Sequence, residues 1–329
     1  TFTPPESGVS LSVTTRAAKP TRTVVITGAR VLTMSGEGAG VIENGLIVIE
    51  GDRIVGVHDA TTVRMAMPAG AVMIDASGKT IMPGLVDAHA HGAYGIGDLI
   101  PEQNWALLQD LAMGVTTVHN PSSQASTVFA AAERQRAGLT LGPRIFSTGE
   151  IIYGAKAADV YARIDSYDDA LAHVRRIKAQ GGISVKNYNQ PRREQRQMVA
   201  RAAAAENMLV VAEGGSLFGM DMNLVADGNS TLEHNVPVDV FYEDVLQFFS
   251  QGNTNYTPTL VVTYGGLAGD PYWRQAMDVF DHPLMVHTPP KALLAETARR
   301  TKAPEWAFVD DNNAREARKL AQRGVKVSI

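Results

Sequence analysis

Pro83-Gly84-Leu85-Val86-Asp87-Ala88-His89-Ala90-His91-Gly92 joins a short apolar run to two histidines spaced two residues apart. Side chains of a β-strand repeat every two residues, so a strand over 85–91 turns both imidazoles to one face. Two neutral imidazoles at that spacing can hold one divalent cation. The Pro-Gly pair in front is a break signal, and the rhythm of the chain changes across it.

Downstream of the break, short apolar strands alternate with helical stretches. Strands read at 85–91, 115–119, 144–148, 183–187, 209–213, 231–234, 256–263 and 325–329. The clearest helices read at 125–137, 168–180, 192–206, 240–251 and 312–323, the last of them stopped by Gly324. This alternation predicts an α/β fold, a parallel (β/α)8 TIM-like barrel over 81–329, whose chemistry sits at the C-terminal ends of its strands. Upstream, β-branched runs at 24–27, 29–34, 46–50 and 54–57 are separated by turn signals at Ser35-Gly36 and Glu43-Asn44-Gly45. They predict a small β-sandwich unit over 23–80. Residues 1–22, rich in Thr, Ser and Pro, read as an extended N-terminal segment.

Composition narrows the function. Apolar residues make up 45% and charged residues 19%, an ordinary globular balance. A net charge of −4 is too weak to argue for nucleic acid or an anionic membrane as partner, and neither is expected. No apolar run approaches the roughly 18 residues of a membrane span. The absence of cysteine excludes disulfides, thiolate metal sites and a Cys nucleophile. No Gly-x-Gly-x-x-Gly follows a strand and no Gly-x-Ser-x-Gly elbow is present. A small-molecule substrate and a homo-oligomer are both compatible with this composition.

Chemistry-bearing residues gather at the strand ends. Four of the eight histidines, His89, His91, His119 and His234, fall there. Lys186 ends the fourth strand, where a barrel-facing ammonium is costly unless paired or altered. Carbamylation by carbon dioxide would turn it into an anionic metal bridge. Glu213 ends the fifth strand. Tyr153 lines the mouth after the third strand with Ser147-Thr148-Gly149-Glu150, and Tyr264 does so after the seventh. Arg192 and Arg193 can clamp a substrate carboxylate or cap a solvated helix start.

Taken together, Asp-Ala-His-Ala-His at 87–91, Lys186 and Glu-His-Asn at 233–235, behind a β unit, resemble the metal-dependent amidohydrolase superfamily. Val185 to Arg193, Glu213-Gly214-Gly215-Ser216 and Thr257-Pro258-Thr259-Leu260 are similar to its prolidase- and imidazolonepropionase-like subgroup, often fused behind a TolB-like β-propeller. The resemblance implies a hydrolase of amide or other carbon–nitrogen bonds that uses a metal-activated water. It implies His89 and His91 on a first ion, Lys186 as carbamylated bridge and His234 on a second. Zinc is the expected metal, as one or two ions, with manganese or iron as alternatives. Glu213 stands where relatives usually carry histidine, and a carboxylate can also ligate zinc. His119 and His234 are the candidates for orienting the oxyanion, with Tyr153 beside them and Tyr264 and Arg192 as substrate contacts. A catalytically impaired scaffold and a lactonase or phosphotriesterase are the competing readings.

In such relatives the catalytic acid follows strand eight. Here strand eight reads at the end of the sequence, so a C-terminal continuation or complementary fragment is expected to pack against strand one. The chain starts at Thr1 without a signal-peptide pattern, as a mature form or a piece of something longer. Propeller-fused relatives are often exported, which implies a periplasmic or secreted location, with the cytoplasm as alternative.

Overall fold

The computed structural model describes residues 14, 16–35, 40–95, 99–155, 161–215, 217–260, 273–278, 280–284, 303–308 and 310–328. The chain divides into two compact units, Thr1–Pro83 with Arg136–Leu139, and Gly84–Gln135 with Thr140–Ile329.

In the first unit, β1 (Thr23–Leu32), β2 (Val41–Glu50), β3 (Arg53–Asp59), β4 (Val72–Asp75) and β5 (Thr80–Ile81) form one five-stranded sheet. β1 pairs antiparallel with β2 and parallel with β4 and β5. The runs read separately at 24–27 and 29–34 form a single strand that ends at Leu32. Gly28 links them at φ 81°, where the register shifts. A side chain there is strained by the positive φ, and a Cβ would also lie 2.5 Å from Ser77 Oγ, which would have to move. Val25, Leu46 and Val48 are buried in one apolar cluster, and Ala29, Val31, Ile47 and Ala76 in another. Among the described residues the unit has one sheet and no facing second layer.

In the second unit, parallel strands alternate with helices. The order is β6 (Leu85–Asp87), α1 (Trp105–Ala112), β7 (Val115–Asn120), α2 (Ala125–Arg136), β8 (Arg144–Ser147), β9 (Ile152–Tyr153), α3 (Tyr167–Ala179), β10 (Ser184–Tyr188) and α4 (Arg193–Ala205). Then come β11 (Leu209–Glu213), α5 (Phe218–Ala226), β12 (Thr231–Glu233), α6 (Glu243–Gln251), β13 (Asn255–Thr257), α7 (Trp273–Ala276) and α8 (Asp310–Gln322). The strands form two parallel sheets, β6-β7-β8 and β13-β12-β11-β10-β9. This is an α/β fold of the kind a TIM-like barrel uses.

Local chemistry explains these boundaries. Ser166 and Asp169 close a reciprocal capping box at the start of α3. Asn104 Oδ1 accepts from the Ala106 amide at the start of α1. Gly324, at φ 85°, follows α8 as expected. Alternation does the rest. Val118, Val185, Val210, Ala212 and Leu232 are buried in apolar clusters with the helices, where each Val or Leu side chain contributes about 1.5–3 kcal/mol. The residues between them, His119, Ser184, Lys186, Glu213 and Glu233, point to the opposite face.

Two expectations need correction. The strand read at 85–91 stops at Asp87, so His89 and His91 lie in the following turn and not on alternating strand positions. Asp87 Oδ1 accepts from the His89 amide at 3.0 Å, and the Ala90 amide donates to the His119 carbonyl at 3.0 Å. These bonds bend the chain. The eighth strand is reduced to a single parallel bridge, Val327 to Tyr256, flanked by bonds of 2.9 and 3.0 Å. Of the seventh, β13 covers 255–257, while 261–263 lie outside the described residues.

Candidate metal centre

β6, β7, β10, β11 and β12 deliver the polar face. His89 is at its centre. Its ring centroid lies 5.0 Å from that of His91, edge-on, and 4.9 Å from that of His234. Its Nδ1 is hydrogen-bonded to Glu233, whose other oxygen accepts from the Thr231 hydroxyl. Its Nε2 is buried and has no hydrogen-bond partner.

His234 reaches this cluster through an unusual backbone. Glu233 and His234 are adjacent, and strand alternation would send their side chains to opposite faces. His234 instead adopts φ 70°, with its amide donating to the Thr257 carbonyl at 2.8 Å. Left-handed backbone of this kind is costly away from glycine and concentrates at functional sites. It lets both residues meet His89.

Glu213 binds two neighbours. One oxygen lies 2.9 Å from His234 Nε2 and the other 2.5 Å from Lys186 Nζ. Burial by itself would raise this carboxyl, but the His234 hydrogen bond and the Lys186 charge outweigh it and bring it down to about 2. The Lys186 contact is an ion pair without hydrogen-bond geometry, so the donors of Nζ are unmatched in a side chain that is 1% exposed. His91 has an exposed outer edge. Desolvation of the rest, together with the neighbouring His89 and Lys186, holds it below its ordinary value and favours the neutral, ligating form.

Other expected residues sit differently. Both nitrogens of His119 are engaged, Nε2 with the Ser184 hydroxyl at 2.8 Å and Nδ1 with the Ala88 carbonyl at 3.2 Å. Burial holds this imidazole below its ordinary value. It thus links β7 to β10 and to the turn that carries His89. Tyr153 packs edge-on against Tyr188 at 5.0 Å, and Lys186 Nζ is 5.9 Å from the Tyr188 ring. Arg192 is exposed and paired with Glu194, and Arg193 forks onto Asp227. Glu150 accepts from the Ala125 amide at the start of α2. Tyr264 lies outside the described residues.

Sequence reading missed Glu233, Ser184, Tyr188 and Asp221 as members of this environment. The period of two could have found the first three. Ser184 and Tyr188 flank Lys186 at alternate positions, and Glu233 is in register with Glu213. Asp221 is fully buried on α5. Its Oδ1 accepts from the Gly215 amide at 2.8 Å, while its Oδ2 has no partner.

Among the described residues, no three His, Asp or Glu ligand atoms converge in a finished coordination shell. The carboxylates face His89, His234 and Lys186 instead. The donor set nevertheless fits a divalent cation: two imidazoles with ring centroids within 5.0 Å of that of His89, a carboxylate at their side, and a buried imidazole nitrogen with nothing to bind.

The second unit is thus a parallel α/β fold with histidines and carboxylates gathered beyond its strand ends. No family model matches the chain. Over 154 residues it is 32% identical to a 5-methylthioadenosine/S-adenosylhomocysteine deaminase of Haloquadratum walsbyi, covering 44% of this chain and 34% of that protein. Over 56 residues it is 45% identical to an imidazolonepropionase of Fusobacterium nucleatum, covering 17% of this chain and 14% of that one. The chain thus spans about a third or less of the curated relatives it matches. Its fold is similar to that of a Bifidobacterium longum protein provisionally named a prolidase, with a TM-score of 0.66 and 19% identity over 94% of this chain and 73% of that one. Over part of its length in sequence, and in fold, the chain is similar to proteins of the metal-dependent amidohydrolase superfamily. No helix among the described residues is long and apolar enough to cross a membrane.

Proposed function

We propose that this chain is a metal-dependent hydrolase of amide or related carbon–nitrogen bonds in small molecules. The observation that carries the reading is the partnerless, buried Nε2 of His89 amid two further imidazoles. His89 and His91 would hold a first ion, with Glu213 and Lys186 on the side where a second would be held and His234 beside them; zinc is the metal proposed. A divalent ion bound there polarises the scissile carbonyl and lowers the pKa of water toward neutrality.

The protein's own groups do the remaining work. With Glu213 accepting from Nε2–H, neutral His234 keeps a lone pair on Nδ1, the atom that lacks a partner. It takes a proton there and returns it to the departing nitrogen, while Glu213 stabilises the imidazolium. His119 holds the turn carrying His89 through Ala88 and Ser184. Tyr153 and Tyr188 form an aromatic wall beside Lys186, and Arg192 and Tyr264 complete the substrate contacts. Carbamylation of Lys186 replaces a cation by an anion beside Glu213. Two anions at that separation repel unless a cation lies between them. Carbamate formation and metal binding are therefore coupled in this reading. The two parallel sheets are then walls of one barrel, and the five-stranded sheet is one layer of the expected sandwich.

The test is a reconstituted panel of dipeptides, N-acyl amino acids, cyclic amides, aminated purines and lactones with zinc, manganese or iron. Turnover of a carbon–nitrogen substrate that follows metal content supports the proposal. Turnover confined to lactones, or activity unchanged after chelation, overturns it.

A further inference from the structure

We infer that Glu233 is a positioning residue: it fixes His89 in the tautomer that carries its proton on Nδ1 and so leaves Nε2 as the ligating atom. The inference rests on the metal reading above but concerns a group outside the proposed ligand set. Glu233 and His89 have side chains 2% and 4% exposed, so water does not compete for their contact. One carboxylate oxygen of Glu233 accepts from the Thr231 hydroxyl, and the other faces His89 Nδ1. A carboxylate has no proton to give, so the hydrogen of this bond belongs to the ring. A neutral imidazole protonated on Nδ1 has its lone pair on Nε2, the buried atom for which the protein supplies no donor.

The surroundings make the assignment specific. Register places Glu233 beside Glu213, two carboxylates on one face. Glu213 is occupied by Lys186 and His234, and Glu233 by Thr231 and His89. Each imidazole that meets a carboxylate therefore meets a different one. The left-handed His234 keeps Glu233 and its neighbour on the same side. A carboxylate on the far nitrogen also makes the imidazole more basic and fixes its ring plane, which in metal sites is worth about 10–100-fold in affinity.

The experiment is nitrogen NMR of the histidine rings in the metal-free 329-residue chain, with Glu233→Gln and Glu233→Ala beside it. The expected wild-type spectrum shows His89 as the Nδ1–H tautomer, and Glu233→Ala shows a mixture. Cobalt affinity should fall about 10–100-fold in Glu233→Ala and recover in large part in Glu233→Gln, whose carbonyl can still accept from Nδ1–H. An Nε2–H tautomer in the wild type overturns the inference, as does an unchanged tautomer and cobalt affinity in a folded Glu233→Ala. Failure of the wild type to bind cobalt strikes the metal reading instead, and the tautomer still decides the role of Glu233. The wild-type spectrum decides it even where the alanine variant does not fold.

Discussion

Lys186 Nζ lies 2.5 Å from Glu213 Oε2, and both side chains are withdrawn from water, at 1% and 12% exposure. Neither charge is stable there alone. Desolvating two ions consumes much of what their attraction returns, so the pair contributes less to net stability than its short distance suggests. Its larger consequence appears when one partner is removed.

Lys186→Met leaves the Glu213 carboxylate buried against a thioether. The expected loss is about 3–5 kcal/mol of unfolding free energy, read by urea denaturation of the metal-free protein. Lys186→Met combined with Glu213→Leu should recover much of it, because no unpaired charge remains. Strictly additive losses would show that the two residues are not coupled.

Carbamate and metal should arrive together. Metal uptake by protein freed of carbon dioxide should be slower or lower than uptake with bicarbonate present, and intact mass should report added carbon dioxide only in metal-loaded samples. Uptake indifferent to bicarbonate would assign Lys186 to the ion pair alone and leave Glu213 as the anionic ligand.

His89→Ala and His91→Ala should each abolish binding at the first ion, so that metal per chain and activity fall together. Their stability effects should differ. His89→Ala leaves Glu233 buried without its partner and costs about 1–3 kcal/mol, while exposed His91→Ala stays within about 0.5 kcal/mol. Full occupancy in the double variant, measured by elemental analysis, would remove both residues from the ligand set.

Asp221 supplies a pH signature. Burial pushes its carboxyl up to about 6 from 3.8, against the opposing Gly215 amide and His234. A carboxyl raised in the folded state binds more protons there than in the unfolded chain. Stability therefore falls as pH rises from about 4 to 6, by on the order of 3 kcal/mol. Asp221→Asn keeps the acceptor for Gly215 and should flatten that limb of the stability curve in metal-free protein. An unaltered limb would assign it to another group.

Much of the second unit was legible because its strands and helices carry one-dimensional signals. The helices expected at 125–137, 168–180 and 192–206 match α2, α3 and α4 within one residue at each end. Short α1 and α5 went unread, and so did β4, β5 and β9, since two- to four-residue pairings are decided by the partner strand and not by their own composition. In the first unit Gly28 looked like a boundary because glycine weakens a strand. In place it is a bulge inside one strand, made tolerable by pairing on both sides of it.

The order of residues alone placed His89, His91, Lys186, Glu213 and His234 near strand ends, because the period of two and the alternation with helices are local properties. It could not say which atoms meet. The approach of His89 to Glu233 spans 144 residues of chain, and that of His119 to Ser184 spans 65. Such contacts follow from how parallel strands register side by side. Tertiary structure also replaced the reason for the histidine pair: a turn held by Asp87 and the His119 carbonyl brings the rings together, where strand geometry had been expected to do so. It gave His234 a left-handed backbone, which turns consecutive residues toward the same cluster. Which side chains carry imidazole and carboxylate groups was written in the sequence; what faces each nitrogen of His89 was decided by the fold, which brings Glu233 to Nδ1 and leaves Nε2 without a partner.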